Sequence, residues 1–198
     1  MISVYKIKPR FQQLLQPLLY KLFKFGLTPN QLTIAAVLLS ILMGISFLQY
    51  QKYPIVLLLI PFAYLIRMAL NALDGMLANQ FNLKSKLGEV LNELGDVISD
   101  VAIALPFFIV PSMNSFILIL FIVLSIINEY AGILGKAING VRRYEGPMGK
   151  SDRALVISLY CLISFFWNDA LLYANWVFGI ASILIVLSTF NRIKLAIK

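Results

Sequence analysis

The chain has 198 residues, of which 60% are hydrophobic and 13% are charged, and its net charge is +8. Soluble domains carry roughly a quarter charged residues, so a mean hydropathy of +0.85 indicates a membrane protein. Histidine is absent and Cys161 is the only cysteine, which excludes an intrachain disulfide, histidine-based catalysis and the usual zinc sites.

The first 28 residues are predicted to form an amphipathic helix at the membrane interface. Apolar residues recur at helical spacing from Phe11 to Phe25, and lysine and arginine side chains surround them. Such a helix lies on an anionic lipid surface, and Pro17 is expected to kink it. The segment is too basic and too rich in proline for a cleavable signal peptide, and the alternative is a frayed basic tail.

Six apolar segments follow and are predicted to be transmembrane helices. They cover residues 30–49, 53–78, 88–110, 115–136, 154–167 and 173–193. Thr28-Pro29-Asn30 caps the first, and the fifth is so short that we expect it to begin near Lys150. The predicted fold class is an all-α integral membrane protein, with six transmembrane helices preceded by the N-terminal interfacial helix. Residues 1–198 are expected to form a single membrane domain, with the six-helix bundle in residues 29–198.

Basic residues are distributed unevenly between the two sides of this predicted bundle. With the N-terminus inside, fifteen fall in inner loops and chain ends, whereas the outer loops carry only Lys52. The positive-inside rule therefore places both termini in the cytoplasm. Arg67 lies within the second span and needs a carboxylate there. The helical rise puts Asp100 at a similar depth, and Glu129 is the alternative partner.

Residues 71–100 hold five of the nine acidic residues in an otherwise mostly apolar region. At about 100° per residue, this stretch and Arg67 before it form one mostly polar stripe on each of two consecutive helices, and the two stripes are expected to face each other across the turn at residues 80–86. The stripes contain Arg67, Asn71, Asp74 and Ala78 on the first helix, and Glu89, Asn92, Glu93, Asp96 and Asp100 on the second. Carboxylates in a bilayer are costly unless they are paired, hydrated or bound to a metal. A divalent cation is therefore one natural counter-charge.

The same stretch resembles a family signature, Asp-x-x-Asp-Gly-x-x-Ala-Arg followed by Gly-x-x-x-Asp-x-x-x-Asp. Here it reads Asn71-x-x-Asp74-Gly75-x-x-Ala78-Asn79, then eight residues, then Gly88-x-x-x-Asn92-x-x-x-Asp96. This pattern is similar to that of the CDP-alcohol phosphatidyltransferases. Six spans after an interfacial helix also match that family, so the resemblance covers most of the chain.

The resemblance implies a phospholipid-synthesis transferase of a bacterial inner membrane. Such an enzyme moves a phosphatidyl group from CDP-diacylglycerol, or a similar CDP-linked lipid, to an alcohol or phosphoalcohol and releases CMP. It also implies Mg²⁺ or Mn²⁺ at the pyrophosphate, with Asp74 as a ligand and Asp96 as ligand and general base. Gly75, Ala78 and Gly88 would let the nucleotide approach the backbone. We expect a homodimer and no nucleic-acid partner.

Three positions depart from the signature. Asn71 and Asn92 stand where aspartates belong, and Asn79 replaces the arginine of the nucleotide site. An amide oxygen can bind Mg²⁺ but brings no charge. The site therefore holds either one ion, or two ions with Glu89 or Glu93 supplying the missing charge.

Four basic residues near the fifth span are weaker candidates for binding a phosphate of the donor or acceptor. They are Arg142, Arg143, Lys150 and Arg153. The alternative is that they only reflect the positive-inside rule. Two rival functions stay open as well: a nucleotide-lipid-binding pseudoenzyme, suggested by Asn71 and Asn92, and a cation transporter built on the acidic stripe.

Overall fold

The structure, a computed structural model, describes residues 8–198, and all the regular secondary structure in this range is helical. The predictions for residues 1–7, the start of the proposed interfacial helix, lie outside it. The α-helices are α1 (Lys8–Lys24), α2 (Pro29–Phe47), α3 (Ile55–Gln80), α4 (Lys86–Ala104), α5 (Ser115–Asn139), α6 (Lys150–Phe166) and α7 (Ala174–Ala196). Two 3₁₀ helices, Leu105–Ile109 and Asn168–Tyr173, follow α4 and precede α7.

The helices begin where the sequence supplies capping groups. Thr28 accepts a hydrogen bond from the backbone of Gln31, whose side chain accepts one from the Thr28 backbone, and Pro29 fills the first helical position. Ser85 caps α4 by accepting from the backbone N–H of Gly88 at 2.9 Å. These bonds satisfy amide groups that have no partner within the helix, so both starts are well defined.

Each of the six predicted spans corresponds to a helix, and α6 begins at Lys150 as expected. The third ends earlier than predicted, because Pro106 converts its last turns to a 3₁₀ helix. Four helical stretches in residues 8–198 are long and apolar enough to cross a membrane: α2, α3, α5 and Asn168–Ala196. Of the other two, α4 carries five charged residues and α6 has only 17 residues, so six spans stay a prediction.

The helices pack around a common core in the lateral order α6, α3, α2, α4, α5, α7. Thus α2 lies between α3 and α4, although α3 and α4 are consecutive in the chain. Gly44 permits this packing, because a Cβ there would lie 2.1 Å from the Ala102 carbonyl oxygen of α4. At the centre, the ring of Phe107 lies 4.3 Å from that of Phe47 and 4.9 Å from that of Phe178.

Helix α1 packs against α3 at one end of the bundle. Leu19 is fully buried beside Leu73 and Leu77, and the ring of Phe23 stacks on that of Phe81 at 3.7 Å. The apolar face predicted from the sequence therefore turns only in part toward the protein. Several of its members are exposed: Leu14, Leu18 and Phe25. A position at the membrane interface is consistent with this exposure and stays a prediction.

Candidate functional site

A cleft of about 330 Å³ opens where α2, α4 and α6 begin and α3 and α5 end. Its walls come from the C-terminal turns of α3, the first turns of α4, and the segment after α5. Nine of the predicted site residues line it: Asp74, Gly75, Ala78, Asn79, Gly88, Glu89, Asn92, Glu93 and Arg142. The lining also includes Asn30, Thr33, Lys84, Lys136 and Tyr144, to which sequence reasoning assigned no role in the site.

Asp74 is held in place by a residue of the neighbouring helix. Its residue surface is 5% exposed, and its Oδ2 accepts a hydrogen bond from Thr33 Oγ1 at 2.7 Å. Thr33 sits on the second turn of α2, so the insertion of α2 between α3 and α4 creates this contact. In the sequence, the hydroxyl of Thr33 early in an otherwise apolar span was the signal that could have identified this residue.

Asp96 lies one turn beyond Asn92 on α4 and does not line the cleft itself. It is 7% exposed, and one carboxylate oxygen contacts the ammonium group of Lys150 at the start of α6. Lys150 also lies close enough to Asp74 of α3 to interact with it electrostatically. Asp74 and Asp96 are close enough to interact electrostatically with each other.

The two glycines of the motif act differently. A Cβ at Gly75 would meet no other atom, so this backbone borders open space in the cleft. At Gly88 a Cβ would lie 2.7 Å from Oδ1 of Asn30, so this glycine lets the start of α2 approach α4. The Asn79 side chain turns back on its own helix and donates to the Gly75 carbonyl at 2.7 Å.

Both glutamates that could have added charge for a second ion already have cationic partners. Glu93 lies 2.6 Å from a guanidinium nitrogen of Arg142, and Glu89 contacts the ammonium group of Lys136. The pair of Glu89 and Lys136 is half exposed, whereas that of Glu93 and Arg142 is mostly buried.

Behind the cleft, buried charges form a connected network that includes the predicted salt bridge. Arg67, 2% exposed, lies 3.0 Å from Asp100, which confirms that prediction. Arg153 lies 2.6 Å from the other oxygen of Asp100 and 2.9 Å from Glu129. The structure thus gives Arg153 carboxylate partners inside the bundle, where the sequence suggested a substrate phosphate.

Glu129 is the centre of this network and is 3% exposed. Besides Arg153, it lies 3.1 Å from Arg142 and 3.7 Å from Arg192. Arg192 is buried and donates to the Asn128 carbonyl at 2.7 Å. Sequence reasoning gave Arg192 no role in the site. Its position as a single arginine near the end of an apolar span was the signal that could have identified it.

The remaining predicted residues lie outside the cleft lining. Asn71 is half-buried one turn before Asp74 on α3. Arg143 pairs with Glu145 at 3.5 Å in the segment after α5.

The donor set at this end of the bundle suits a hard divalent cation. In residues 8–198, no group of three or more histidine, cysteine, aspartate or glutamate side chains is arranged to hold a metal. Asp74 on α3 and Asp96 on α4 nevertheless supply two carboxylates, and Asn71 and Asn92 add amide oxygens nearby on the same helices. Oxygen donors of this kind fit Mg²⁺ or Mn²⁺ and do not fit a soft metal.

A sequence model of the CDP-alcohol phosphatidyltransferase family matches residues 26–189, which contain both halves of the motif. The chain belongs to this family. One relative, inner membrane protein YnbA of Escherichia coli K12, is 46% identical to this chain over 193 residues. That alignment covers 98% of this chain and 96% of YnbA. An archaetidylinositol phosphate synthase of Pyrococcus horikoshii is 35% identical over 98 residues, half of each chain.

Solved structures show the same fold. The phosphatidylinositol phosphate synthase PgsA1 of Mycobacterium tuberculosis, with CDP-DAG bound, superposes with a TM-score of 0.71. It is 22% identical, and the match covers 91% of this chain and 92% of PgsA1. A second PgsA1 structure, in complex with manganese and citrate, gives a TM-score of 0.72 at 22% identity, covering 92% and 88%.

Proposed function

We propose that this protein is a divalent-metal-dependent transferase. It moves a phosphatidyl or another substituted phosphoalcohol group from a CDP-linked lipid, such as CDP-diacylglycerol, to an alcohol. One observation carries the proposal: the two halves of the family motif, centred on Asp74 and Asn92, line a single cleft at one end of an apolar helix bundle. The PgsA1 structure with CDP-DAG bound supports a donor of this kind.

We further propose the membrane arrangement expected from the sequence. Six spans form one domain in a bacterial inner membrane, with both termini and the cleft on the cytoplasmic side, and the protein is a homodimer. The relative YnbA is named an inner membrane protein, which supports this location. The many basic residues at the cleft end, against Lys52 at the opposite end, support the orientation. The cleft would then meet both the lipid headgroups and the cytoplasm.

The donor would bind with its cytidine diphosphate against the backbones of α3 and α4. Gly75 offers open space and Ala78 has a small side chain, so the nucleotide can approach α3 closely. Asp74 and Asp96 would hold the divalent cation, helped by the amide oxygens of Asn71 and Asn92. When bound, the cation neutralises charge on the pyrophosphate oxygens as a Lewis acid.

Asp96 would act as the general base. It accepts the proton of the acceptor hydroxyl as that oxygen forms a bond to the lipid-linked phosphorus, and the bond from this phosphorus to the CMP oxygen breaks. Thr33 positions Asp74 through the 2.7 Å hydrogen bond. Lys150 positions Asp96 through the contact between its ammonium group and one carboxylate oxygen.

The first test is CMP release. Purified protein with Mg²⁺, CDP-diacylglycerol and a panel of alcohols is expected to release CMP and form a new phospholipid, detected by mass spectrometry. Removing the metal with EDTA should abolish both. Asp169→Asn removes a carboxylate at the opposite end of the bundle and should keep full activity, so it is the control for substitutions of the aspartates at the cleft. Donor binding without CMP release would indicate a pseudoenzyme, and cation flux across vesicles without CMP release would indicate a transporter.

The second test concerns the number of metal ions. Because Glu89 and Glu93 already have cationic partners, we propose one ion per site. Asn71→Asp would then add a carboxylate beside Asp74 and tighten Mg²⁺ binding by about tenfold, since an added negative charge near a cation is favourable. Isothermal titration of the protein without donor measures this, and Asn168→Asp at the other end is the control. Two tightly bound ions in the unmodified protein would contradict the proposal and implicate Glu89 or Glu93.

A further inference from the structure

The start of α6 brings a positive charge to the two aspartates assigned to the cation. The ammonium group of Lys150 contacts Oδ1 of Asp96, and it is close enough to Asp74 to interact with that carboxylate as well. We propose that Lys150 is the counter-charge of these aspartates while no divalent cation is bound, and that it competes with the cation for Asp96. This inference rests on the proposed function, which assigns Asp74 and Asp96 to the cation.

The backbone around Lys150 is held on both sides, so its position is set by the fold. Gly149, the residue before it, donates its backbone N–H to Oδ2 of Asp152 at 3.1 Å, which caps the first turn of α6. The carbonyl of Met148 accepts a hydrogen bond from Nη1 of Arg153 at 3.2 Å. The first turn of α6 is therefore fixed, and the Lys150 side chain extends from it to α4.

Two ion pairs join α6 to α4, and they differ in how readily they can exchange. The Arg153 side chain is 3% exposed and lies within 3 Å of two carboxylates, those of Asp100 and Glu129. The Lys150 side chain is 25% exposed, and in the described part of the chain Asp96 is its single carboxylate within 4 Å. Lysine is also flexible and strongly hydrated. Water can therefore replace the carboxylate at Lys150, whereas Arg153 would be left buried without a partner.

Electrostatics make the ammonium group and a divalent cation alternatives. Asp74 and Asp96 are 5% and 7% exposed, and two neighbouring buried carboxylates are costly without positive charge. Lys150 offsets this cost in part when no cation is bound. A divalent cation bound to the same carboxylates brings twice the charge and repels the ammonium group. Lys150 therefore weakens binding of the cation.

The cleft also contains a lysine that serves as a matched control. Lys84 lines the same cleft and is exposed in the turn between α3 and α4. Among the residues that the structure describes, it has no carboxylate within salt-bridge distance. Its charge is separated from the aspartates by solvent and is screened by salt. Removing this charge tests whether any positive charge at the cleft weakens metal binding, or only the one in contact with Asp96.

The first experiment titrates Mg²⁺ into purified protein in detergent, without donor, by isothermal calorimetry. Lys150→Gln removes the charge and keeps a hydrogen-bond donor for Asp96, and we expect its Kd for Mg²⁺ to fall by about tenfold. Lys84→Gln should change the Kd by less than about twofold. Lys150→Arg keeps a positive charge and should bind Mg²⁺ as the unmodified protein does. Equal or weaker binding of Mg²⁺ by Lys150→Gln would overturn the competition.

The second experiment uses the unmodified protein, so it does not depend on a variant that folds. An amine-reactive reagent labels the protein in Mg²⁺ or in EDTA, and mass spectrometry of peptides gives the labelling rate of each lysine. Because this rate scales with the fraction of Lys150 that is unpaired, Mg²⁺ should raise it by at least about threefold. Lys84 is the internal reference, and its rate should not change.

The outcomes separate this inference from the proposed function. Unchanged labelling of Lys150 under conditions in which Mg²⁺ binds would overturn the competition alone, and the assignment of Asp74 and Asp96 would stand. Absence of Mg²⁺ binding in both the unmodified protein and Lys150→Gln would overturn the metal site of the proposed function, and the role of Lys150 with it.

Discussion

Asp96→Asn is expected to abolish phosphatidyl transfer while the protein remains folded. A neutral amide cannot accept the proton of the acceptor hydroxyl, and a positioned general base contributes about 10²–10⁴-fold to the rate. The variant also loses one of two carboxylates that would hold the cation, so we expect a loss of at least about 10³-fold in kcat/KM. CMP release with the preferred acceptor is the measurement.

The fold should tolerate this substitution because the partner of Asp96 is partly accessible to solvent. The Lys150 side chain is 25% exposed, so water can solvate its ammonium group once the carboxylate is gone. The thermal midpoint in detergent is therefore expected to change little. Near-normal turnover by Asp96→Asn would remove Asp96 from the role of base. A large drop in thermal midpoint would show that its pairing with Lys150 is structural.

Asp100→Leu is expected to destabilise the protein strongly, and more than Arg67→Met. Arg67 is buried and has Asp100 as its carboxylate partner, so removing Asp100 leaves a guanidinium without a counter-charge. Breaking a buried pair in this way costs about 3–5 kcal/mol. Asp100 itself has a second partner in Arg153, at 2.6 Å, so Arg67→Met leaves the carboxylate paired and should cost less.

The double variant Arg67→Met with Asp100→Leu separates the ion pair from general packing effects. It removes both charges and leaves Arg153 paired with Glu129, so it should recover much of the stability that Asp100→Leu loses. Thermal unfolding in detergent measures all three variants, and Lys52→Met at the opposite end serves as a control for loss of an exposed charge. Equal losses in both single variants, with no recovery in the double, would contradict this account.

The Arg67–Asp100 pair shows how far the sequence alone could reach into the site. The prediction needed only the helical rise, the angular position of each side chain and the cost of an unpaired charge in a bilayer. All three are local or general quantities. The same reasoning located the helices, the start of α6 at Lys150 and the cap at Thr28, because hydropathy and capping are written in neighbouring residues.

The family motif was likewise readable, since its members lie on two consecutive helices at fixed spacing. The structure places most of them around one cleft. Sequence reasoning assumed that α3 and α4 face each other directly, however, and it did not foresee that α2 packs between them. In a membrane helix such as α2, the lipid-facing and the core-facing side are both apolar, so the pattern does not reveal which neighbour it packs against.

Only the tertiary structure decided which partners the charged residues have. Thr33 and Asp74 are 41 positions apart, Asp96 and Lys150 are 54 apart, and Asn128 and Arg192 are 64 apart. Each of these contacts depends on the lateral order of the helices, which residue spacing along the chain does not specify. The sequence thus determined a helical membrane protein with a CDP-alcohol phosphatidyltransferase motif. The packing of α5, α6 and α7 around that motif determined that Glu129 lies within salt-bridge distance of Arg142, Arg153 and Arg192, because a buried charge pairs with whichever opposite charge the fold brings within reach.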